Sequence, residues 1–185
     1  FSVMSFDNVL ANVQSGKADI AIAGISVTDE RKKVYDFSDS YYTSENVVIV
    51  KKDKVNDYTS TDSLAKQTVG TQKGSVQETV AKKQISKASV VSLASNGEMI
   101  NELKSGQLQA VVLEKAIAEG YIAQNDDLTL ANFNLKSDGS DVYAVATRKG
   151  SDDLLKEINA VIKETKDSGK FDQWLKEAST YKQSK

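Results

Sequence analysis

Short apolar runs alternate with longer amphipathic stretches along the whole chain. Phe6, Val9, Leu10 and Val13 recur at helical spacing, and with Ser5 before them and Gly16 after they predict a helix over 6–14. Residues 18–23 end in Ile20-Ala21-Ile22-Ala23 and read as a buried strand. Thr28 or Asp29 caps a short turn of helix that carries Arg31, Lys32 and Lys33. Further strands are predicted over 47–50, 68–72, 89–93, 109–113, 128–131 and 142–147. Between them lie a short helix opened by Thr61 or Asp62, one from Ser75 to about Gln84, one capped by Asn96 and closed by Gly106, and one over 115–124. Helices over 151–166 and 170–178 follow, and the polar end YKQSK is expected to fray. Strands alternating with helices argue an α/β class with largely parallel sheets.

One segment repeats. NVQSGKADIAIAG at 12–24 and ELKSGQLQAVVLE at 102–114 each run from a helix end through Ser-Gly into an apolar strand. Aligning the Ser-Gly pairs sets Gly24 against Glu114. Two α/β lobes of similar build would bring corresponding strand ends to face each other. Ligands in open α/β sheets bind beyond the carboxyl ends of strands, so both positions are candidate contacts.

Composition narrows the chemistry. The 185 residues carry a formal net charge of −2, which gives no electrostatic case for nucleic acid. No apolar run reaches the length of a membrane span. Cys and His are both absent, which removes disulfides, thiol catalysis and Cys/His metal sites. Any general acid or base would be Asp, Glu, Lys or Tyr. No cofactor is implied.

Four places carry candidate chemistry, each with more than one reading. In GISVTDER (24–31), Arg31 is either one solvated charge in a charged run or a fixed cation whose guanidinium fork suits a carboxylate. Gly24 would let a ligand approach the backbone, and its carbonyl and the Ser26 hydroxyl could accept from an ammonium. In QKGSVQE (72–78), Gly74 turns the chain and Ser75 starts a helix, which is either a plain cap or an anion site at a helix N-terminus. Glu114 closes the apolar strand AVVL, either in water, as the N-cap of the next helix, or as counter-ion to a ligand amine. Phe6 is either a core residue or a platform for a ligand side chain. Together these groups complement a free amino acid, and no nucleophile–base pair accompanies them.

SFDNVLANVQSGKADIAIAGISVTDERKKVYDFSDSYY resembles the signature of the polar amino-acid-binding proteins of ABC importers, solute-binding protein family 3 with the type II periplasmic-binding fold. TVGTQKGSVQETV, GQLQAVVLEKAIAEGY and VYAVATRKGSDDLLKEINAVIKETKDSGKFDQWLKE continue the resemblance in the same order. It implies a two-lobed α/β fold that closes on its ligand by a hinge motion. Lobe 1 would be 1–41 plus 144–185, lobe 2 would be 46–138, and the crossings would be 42–45 and 139–143.

The resemblance implies that Arg31 grips the ligand α-carboxylate with help from Ser26 and nearby amides, while the Gly24 carbonyl meets the α-ammonium. In lobe 2 it assigns Ser75 and the Val76 amide to the carboxylate and Glu114 to the ammonium, where the family commonly has Asp. Phe6 would pack on the ligand side chain and Gln72 would help to read it. The family's opening segment, about one βαβ unit of some 30 residues, is expected to be missing, leaving lobe 1 incomplete with apolar surface exposed.

The function implied is capture of a polar or charged L-amino acid outside the cytoplasm and delivery to a membrane permease. Localisation would be periplasmic, or at the cell surface with any lipid anchor outside this chain. An aromatic beside the side chain favours a basic or amide ligand, with arginine, lysine, histidine and glutamine all admitted. Two other classes stand beside this one: an enzyme on the same fold, such as a cyclohexadienyl dehydratase, and the ligand-sensing domain of a receptor.

Overall fold

A computed structural model of the chain describes residues 1–137, 139 and 141–178. The end YKQSK and position 140 of the second expected crossing lie outside them. In chain order the elements are α1 (Phe6–Gln14), β1 (Ile20–Ala21), α2 (Asp29–Lys32), β2 (Tyr35–Phe37), β3 (Tyr42–Thr43) and β4 (Asn46–Lys51). Next come β5 (Thr68–Gln72), α3 (Val76–Gln84), β6 (Ser89–Leu93), α4 (Asn96–Ser105), β7 (Ala110–Glu114), α5 (Lys115–Ile122) and β8 (Leu128–Leu130). The chain finishes with β9 (Val142–Tyr143), β10 (Ala146–Arg148), α6 (Asp152–Asp167) and α7 (Lys170–Ala178). Of the described residues, 1–43 and those from 139 onward form one compact unit, and 44–137 form the other.

The second unit is built on a five-stranded sheet of order β6-β5-β7-β4-β8. Strand β5 runs parallel to β6 and β7, whereas β4 runs antiparallel to β7 and β8. The sheet is therefore mixed, not largely parallel as the alternation suggested. The parallel pairs are those joined through crossover helices α3 and α4, as parallel pairing requires. Hydrophobic periodicity reports burial and carries no strand direction.

Its alternating side chains feed two cores. Val48, Val50, Ala110 and Val112 pack with Leu64, Ala81 and Ile85 on one face. Ile49, Val111 and Leu113 pack with Met99, Ile100, Leu103, Ala118 and Tyr121 on the other. Strand β7 is buried along its whole length, which explains its unbroken apolar run.

The first unit holds a three-stranded antiparallel sheet, β1-β10-β2, and a separate antiparallel pair, β3 with β9. Val13, Ala21, Ile25, Tyr35 and Ala146 form its core, with Phe6, Val9 and Leu10 of α1 packed against them. The strand expected over 18–23 shrinks to Ile20–Ala21. It is an edge strand covered on one face: Ala21 is buried, while Ile20 and Ile22 are 39% and 62% exposed.

The single strand expected over 142–147 divides in two. It breaks at Ala144 and Val145, whose N–H groups donate to the Ile25 carbonyl (3.2 Å) and to Ser38 Oγ (2.9 Å). Among the described residues, all the exposed large hydrophobic ones lie in this first unit, among them Val3, Val161 and Trp174.

Helix starts follow local hydrogen-bond chemistry, with some shifts of residue. Thr28 Oγ1 accepts from the Arg31 N–H at 3.2 Å and caps α2. Ser95 caps α4 where Asn96 was expected, accepting from the Glu98 N–H at 3.2 Å. A capping box between Ser60 and Ser63, not Thr61 or Asp62, opens the 3-10 turn Thr61–Leu64. Ser5 occupies its predicted N-cap position, but its hydroxyl donates to Asp7 Oδ1 at 2.7 Å instead of capping the backbone.

The repeat is structural as well as sequential. Gly16 and Gly106 both take left-handed φ values, +76° and +83°. The Lys17 and Ala18 N–H groups donate to the Asn12 carbonyl at 3.0 and 3.1 Å, and the Gln107 and Leu108 N–H groups donate to the Glu102 carbonyl at 2.9 and 3.1 Å. Val13 and Leu103, which accept from the two glycine N–H groups, are both fully buried. Each glycine thus satisfies carbonyls at a helix end and aims the chain into its strand.

Two stability experiments follow. Gly106 has nothing within 4 Å of where a Cβ would stand, so Gly106→Ala should lose stability through backbone strain alone, by about 1–2 kcal/mol. Gly106→Asn should lose clearly less, because asparagine tolerates the left-handed region. Urea unfolding that shows the two variants equally weakened would contradict this origin.

Asp36 accepts from Lys149 Nζ at 2.6 Å and from the Gly150 N–H at 2.8 Å, tying β2 to the turn before α6. These bonds, Lys149 first, hold its carboxyl below the ordinary carboxylate range. Its stabilising contribution is therefore complete above the unfolded value of about 3.9 and disappears as pH falls through the lower folded value. Asp36→Asn should be less stable at neutral pH, and its stability curve should converge with that of the unaltered protein in acid. A constant gap down to the lowest pH that keeps the fold would count against this account.

Candidate functional site

In the first unit the candidate groups share one loop. The backbone of 25–27 lies antiparallel to 142–144: Ser26 bridges Tyr143, and the Val27 N–H donates to the Val142 carbonyl at 2.9 Å. This fixes Ser26, which is only 1% exposed. Gly24 takes a φ of +62° at an exposed position with open space on its Cβ side, so the backbone can be approached closely there. Its N–H donates to Tyr41 Oη at 3.1 Å. Burial pushes the Tyr41 phenol up, against the opposing effect of that bond, so the group is a neutral acceptor.

Arg31 folds back over this loop. Its Nη1 donates to the Ser26 carbonyl at 2.8 Å, and its own N–H is held by Thr28. The observed contact of Ser26 with Arg31 therefore runs through its carbonyl. Partial burial lowers the Arg31 pKa, with the nearby Tyr35 opposing. Guanidinium remains charged throughout the physiological range. One of its five donors is taken by Ser26, and the planar fork is oriented as a result. Phe6 is half-buried, and its observed contacts are with the core of this unit.

In the second unit the groups cluster where strands end and helices begin. Gln72 ends β5 and Glu114 ends β7, neighbouring parallel strands with Gly70 opposite Val111. Ser75 is buried at the N-cap of α3, but its hydroxyl donates to the Gln72 carbonyl at 2.7 Å. A hydroxyl has one proton to give. Donation from Ser75 to a ligand carboxylate would break that bond, so an anion here would be met by the amides of Val76 and its neighbours.

Glu78 reaches back to the Gly74 N–H at 3.1 Å and is paired with Lys82 at 2.6 Å. The Lys82 bond first, then Gly74, holds its carboxyl below the ordinary range. Glu78 thus puts a negative charge at this helix end that Lys82 offsets. The Ser75-x-x-Glu78 spacing was the sequence signal for such a reach-back.

Glu114 is 7% exposed and is the N-cap of α5. Its Oε2 accepts from the Ile117 N–H at 3.0 Å, and its Oε1 accepts from the Ser44 hydroxyl. Opposite it in register stands Asn46 of β4, which is buried and accepts from Gln77 Nε2 of α3 at 2.7 Å. Ser44 and Asn46 escaped the sequence reading, since each meets its partner only through pairing across 31 or more positions. A polar Asn46 opening an apolar strand was the one local hint.

Within the first unit Gly24, Ser26 and Arg31 are thus brought together, and Phe6 joins the core. Within the second, Gln72, Ser75 and Val76 form one turn and Glu114 ends the neighbouring strand. No group of three or more acidic residues suited to a metal occurs among the described residues, and none of their helices is long and apolar enough to cross a membrane.

The chain matches the family model of bacterial extracellular solute-binding proteins, family 3, over residues 1–178. It is similar to an amino acid ABC transporter substrate-binding protein, AbpA, of Streptococcus pneumoniae, whose crystal structure holds L-arginine. Identity is 49% and the TM-score 0.93, covering 96% of this chain and 75% of that one. It is 33% identical over 178 residues to the arginine-binding extracellular protein ArtP of Bacillus subtilis, covering 94% of this chain and 68% of that protein. The ABC transporter glutamine-binding protein GlnH of Bacillus subtilis is 34% identical over 171 residues, covering 89% of this chain and 60% of GlnH. The chain therefore spans between about three fifths and three quarters of these relatives, and on the strength of the match over 1–178 it belongs to the bacterial extracellular solute-binding proteins of family 3.

Proposed function

We propose that this chain is the binding component of an ABC importer for a basic L-amino acid, with arginine the preferred ligand, and that it delivers the ligand to a membrane permease. Two observations support the reading, one from each unit taken by itself: an oriented guanidinium at Arg31 and a buried carboxylate at Glu114. They complement the carboxylate and ammonium of one zwitterion. The fork of Arg31 suits a planar carboxylate. The amide of Val76 at the start of α3 adds a second donor, and the exposed Gly24 backbone offers a carbonyl to the ammonium. Gln72, Phe6, Ser26 and Ser75 complete the set as side-chain reader, apolar wall and supports.

The arginine-bound structure of the pneumococcal relative and the name of ArtP support arginine over other ligands. GlnH keeps glutamine as the second candidate. The relatives described above are binding proteins, which supports a protein without catalysis and leaves the dehydratase reading without a foothold. We further assign the crossings to 42–45 and 139–143, where β3 pairs with β9 and the two units meet along the chain. The family works outside the cytoplasm, and a lipid anchor beyond this chain would keep the protein at the membrane.

Among the twenty amino acids, L-arginine should raise the melting temperature of the purified full-length protein most, because a bound ligand stabilises by mass action. Arg31→Ala should weaken L-arginine by about a hundredfold or more in calorimetry, and Arg31→Lys, which keeps charge but not the fork, by less. Unchanged affinity in Arg31→Ala would sink the assigned role. Glu114→Gln should weaken L-arginine by about tenfold or more while sparing its desamino analogue, 5-guanidinopentanoate. Equal losses for both would remove Glu114 from the ammonium.

A further inference from the structure

We propose that Ser44 is a positioning residue that sets the protein's preference for ligands bearing an α-amine, by holding the carboxylate of Glu114 in one orientation. The inference rests on the assignment of Glu114 to the ligand ammonium. A glutamate has one more rotatable bond than the aspartate implied at this place by the family resemblance, and each free rotor is lost on binding. A useful counter-ion at the end of a longer side chain must be fixed beforehand.

Two bonds do this. The Ile117 N–H fixes Oε2 at the start of α5, at 3.0 Å. The Ser44 hydroxyl fixes Oε1 and so sets the plane of the group. A carboxylate offers about four acceptor positions, so these two bonds leave capacity for an incoming ammonium.

The chemistry of the partner matters. Ser44 is neutral, so it supports the negative charge without cancelling it. A lysine or arginine in its place would compete with the ligand's own cation.

The hydroxyl is itself delivered by a fixed backbone. The Lys115 N–H donates to the Glu45 carbonyl at 3.0 Å, the Lys115 ammonium pairs with the Glu45 carboxylate, and Asn46 stands in register with Glu114. Residues 44–46 are thereby zipped onto 114–115. Ser44 is also the first residue of its unit, directly after β3. The group that orients the amine contact therefore sits where the chain enters the second unit.

The test compares Ser44→Ala and Ser44→Thr with the unaltered full-length protein in two measurements. Amide hydrogen exchange without ligand reads the contact directly, because the Ile117 N–H is protected by the Glu114 side chain. Ser44→Ala should exchange Ile117 about tenfold faster and leave Lys115 unchanged, and Ser44→Thr should restore protection.

In calorimetry Ser44→Ala should weaken L-arginine by about tenfold and 5-guanidinopentanoate by no more than about twofold, again with rescue by threonine. Unchanged Ile117 exchange overturns the proposal, as does an equal loss for the two ligands or no loss for either. Failure of the unaltered protein to bind any amino acid overturns the proposed function. That result appears before any variant is made, and the exchange measurement still decides whether Ser44 holds Glu114.

Discussion

The second unit is organised around a buried carboxylate at the end of its central strand. A charge following four apolar residues is costly to bury unless it is hydrogen-bonded. Glu114 meets that condition by tying together three pieces of chain: its own strand β7, the start of α5 through Ile117, and the segment entering β4 through Ser44. These bonds lie where Asn46 of β4 stands opposite Glu114 in register and where α5 begins. A hydrophobic residue here would satisfy none of these demands, because the Ile117 N–H is one of the amides that a helix start leaves without an internal acceptor. The helix-cap reading and the counter-ion reading of Glu114 are therefore compatible. Capping occupies one oxygen lone pair and holds the charge in place.

Arg31 shows the complementary solution for a cation. Its backbone is capped by Thr28 and its side chain turned onto the Ser26 carbonyl, so a long flexible side chain becomes a fixed fork. The loop that receives it is stiffened by pairing of 25–27 with 142–144 and by the Gly24 bond to Tyr41. Preorganisation of this kind reduces the ordering cost of binding. The Ser26 carbonyl helps to orient the cation, and a hydroxyl with an amide orients the anion.

Most of the helices and strands were legible because their periodicity is strong. β7 is apolar throughout since both of its faces are covered, and α1 carries its stripe at helical spacing. What was not legible depended on partners distant in the chain. The antiparallel placement of β4 in a sheet whose neighbours are joined by crossovers leaves no trace in hydrophobicity. Strand β1 is short and is paired on one edge only among the described residues, while its sequence, Ile20-Ala21-Ile22, reads as fully covered. Caps shifted by a residue, as at Ser60 and Ser95, because several hydroxyl and amide side chains competed in the same short stretch. Ser44, 70 residues from Glu114, could be found only from the pairing of β4 with β7.

The repeat shows one local device ending in two different acceptors. At Gly16 and at Gly106 the chain leaves a helix through the same left-handed turn, with the same carbonyl accepting twice. Beyond the turn the two copies separate according to what surrounds them. The strand after Gly106 has neighbours on both sides and can carry an apolar run to a buried carboxylate. The strand after Gly16 is paired on one side, and the aligned position is an exposed glycine with open backbone. A carboxylate supplies a full charge and a carbonyl a dipole, and both accept from an ammonium. In the proposed reading the amine is thus recognised by acceptors at equivalent ends of the two copies, one strong and fixed by Ser44, the other weaker but free of a side chain that would obstruct it. The strength of selection for an amine then rests on Glu114, which is why the residue that holds it matters as much as the charge itself.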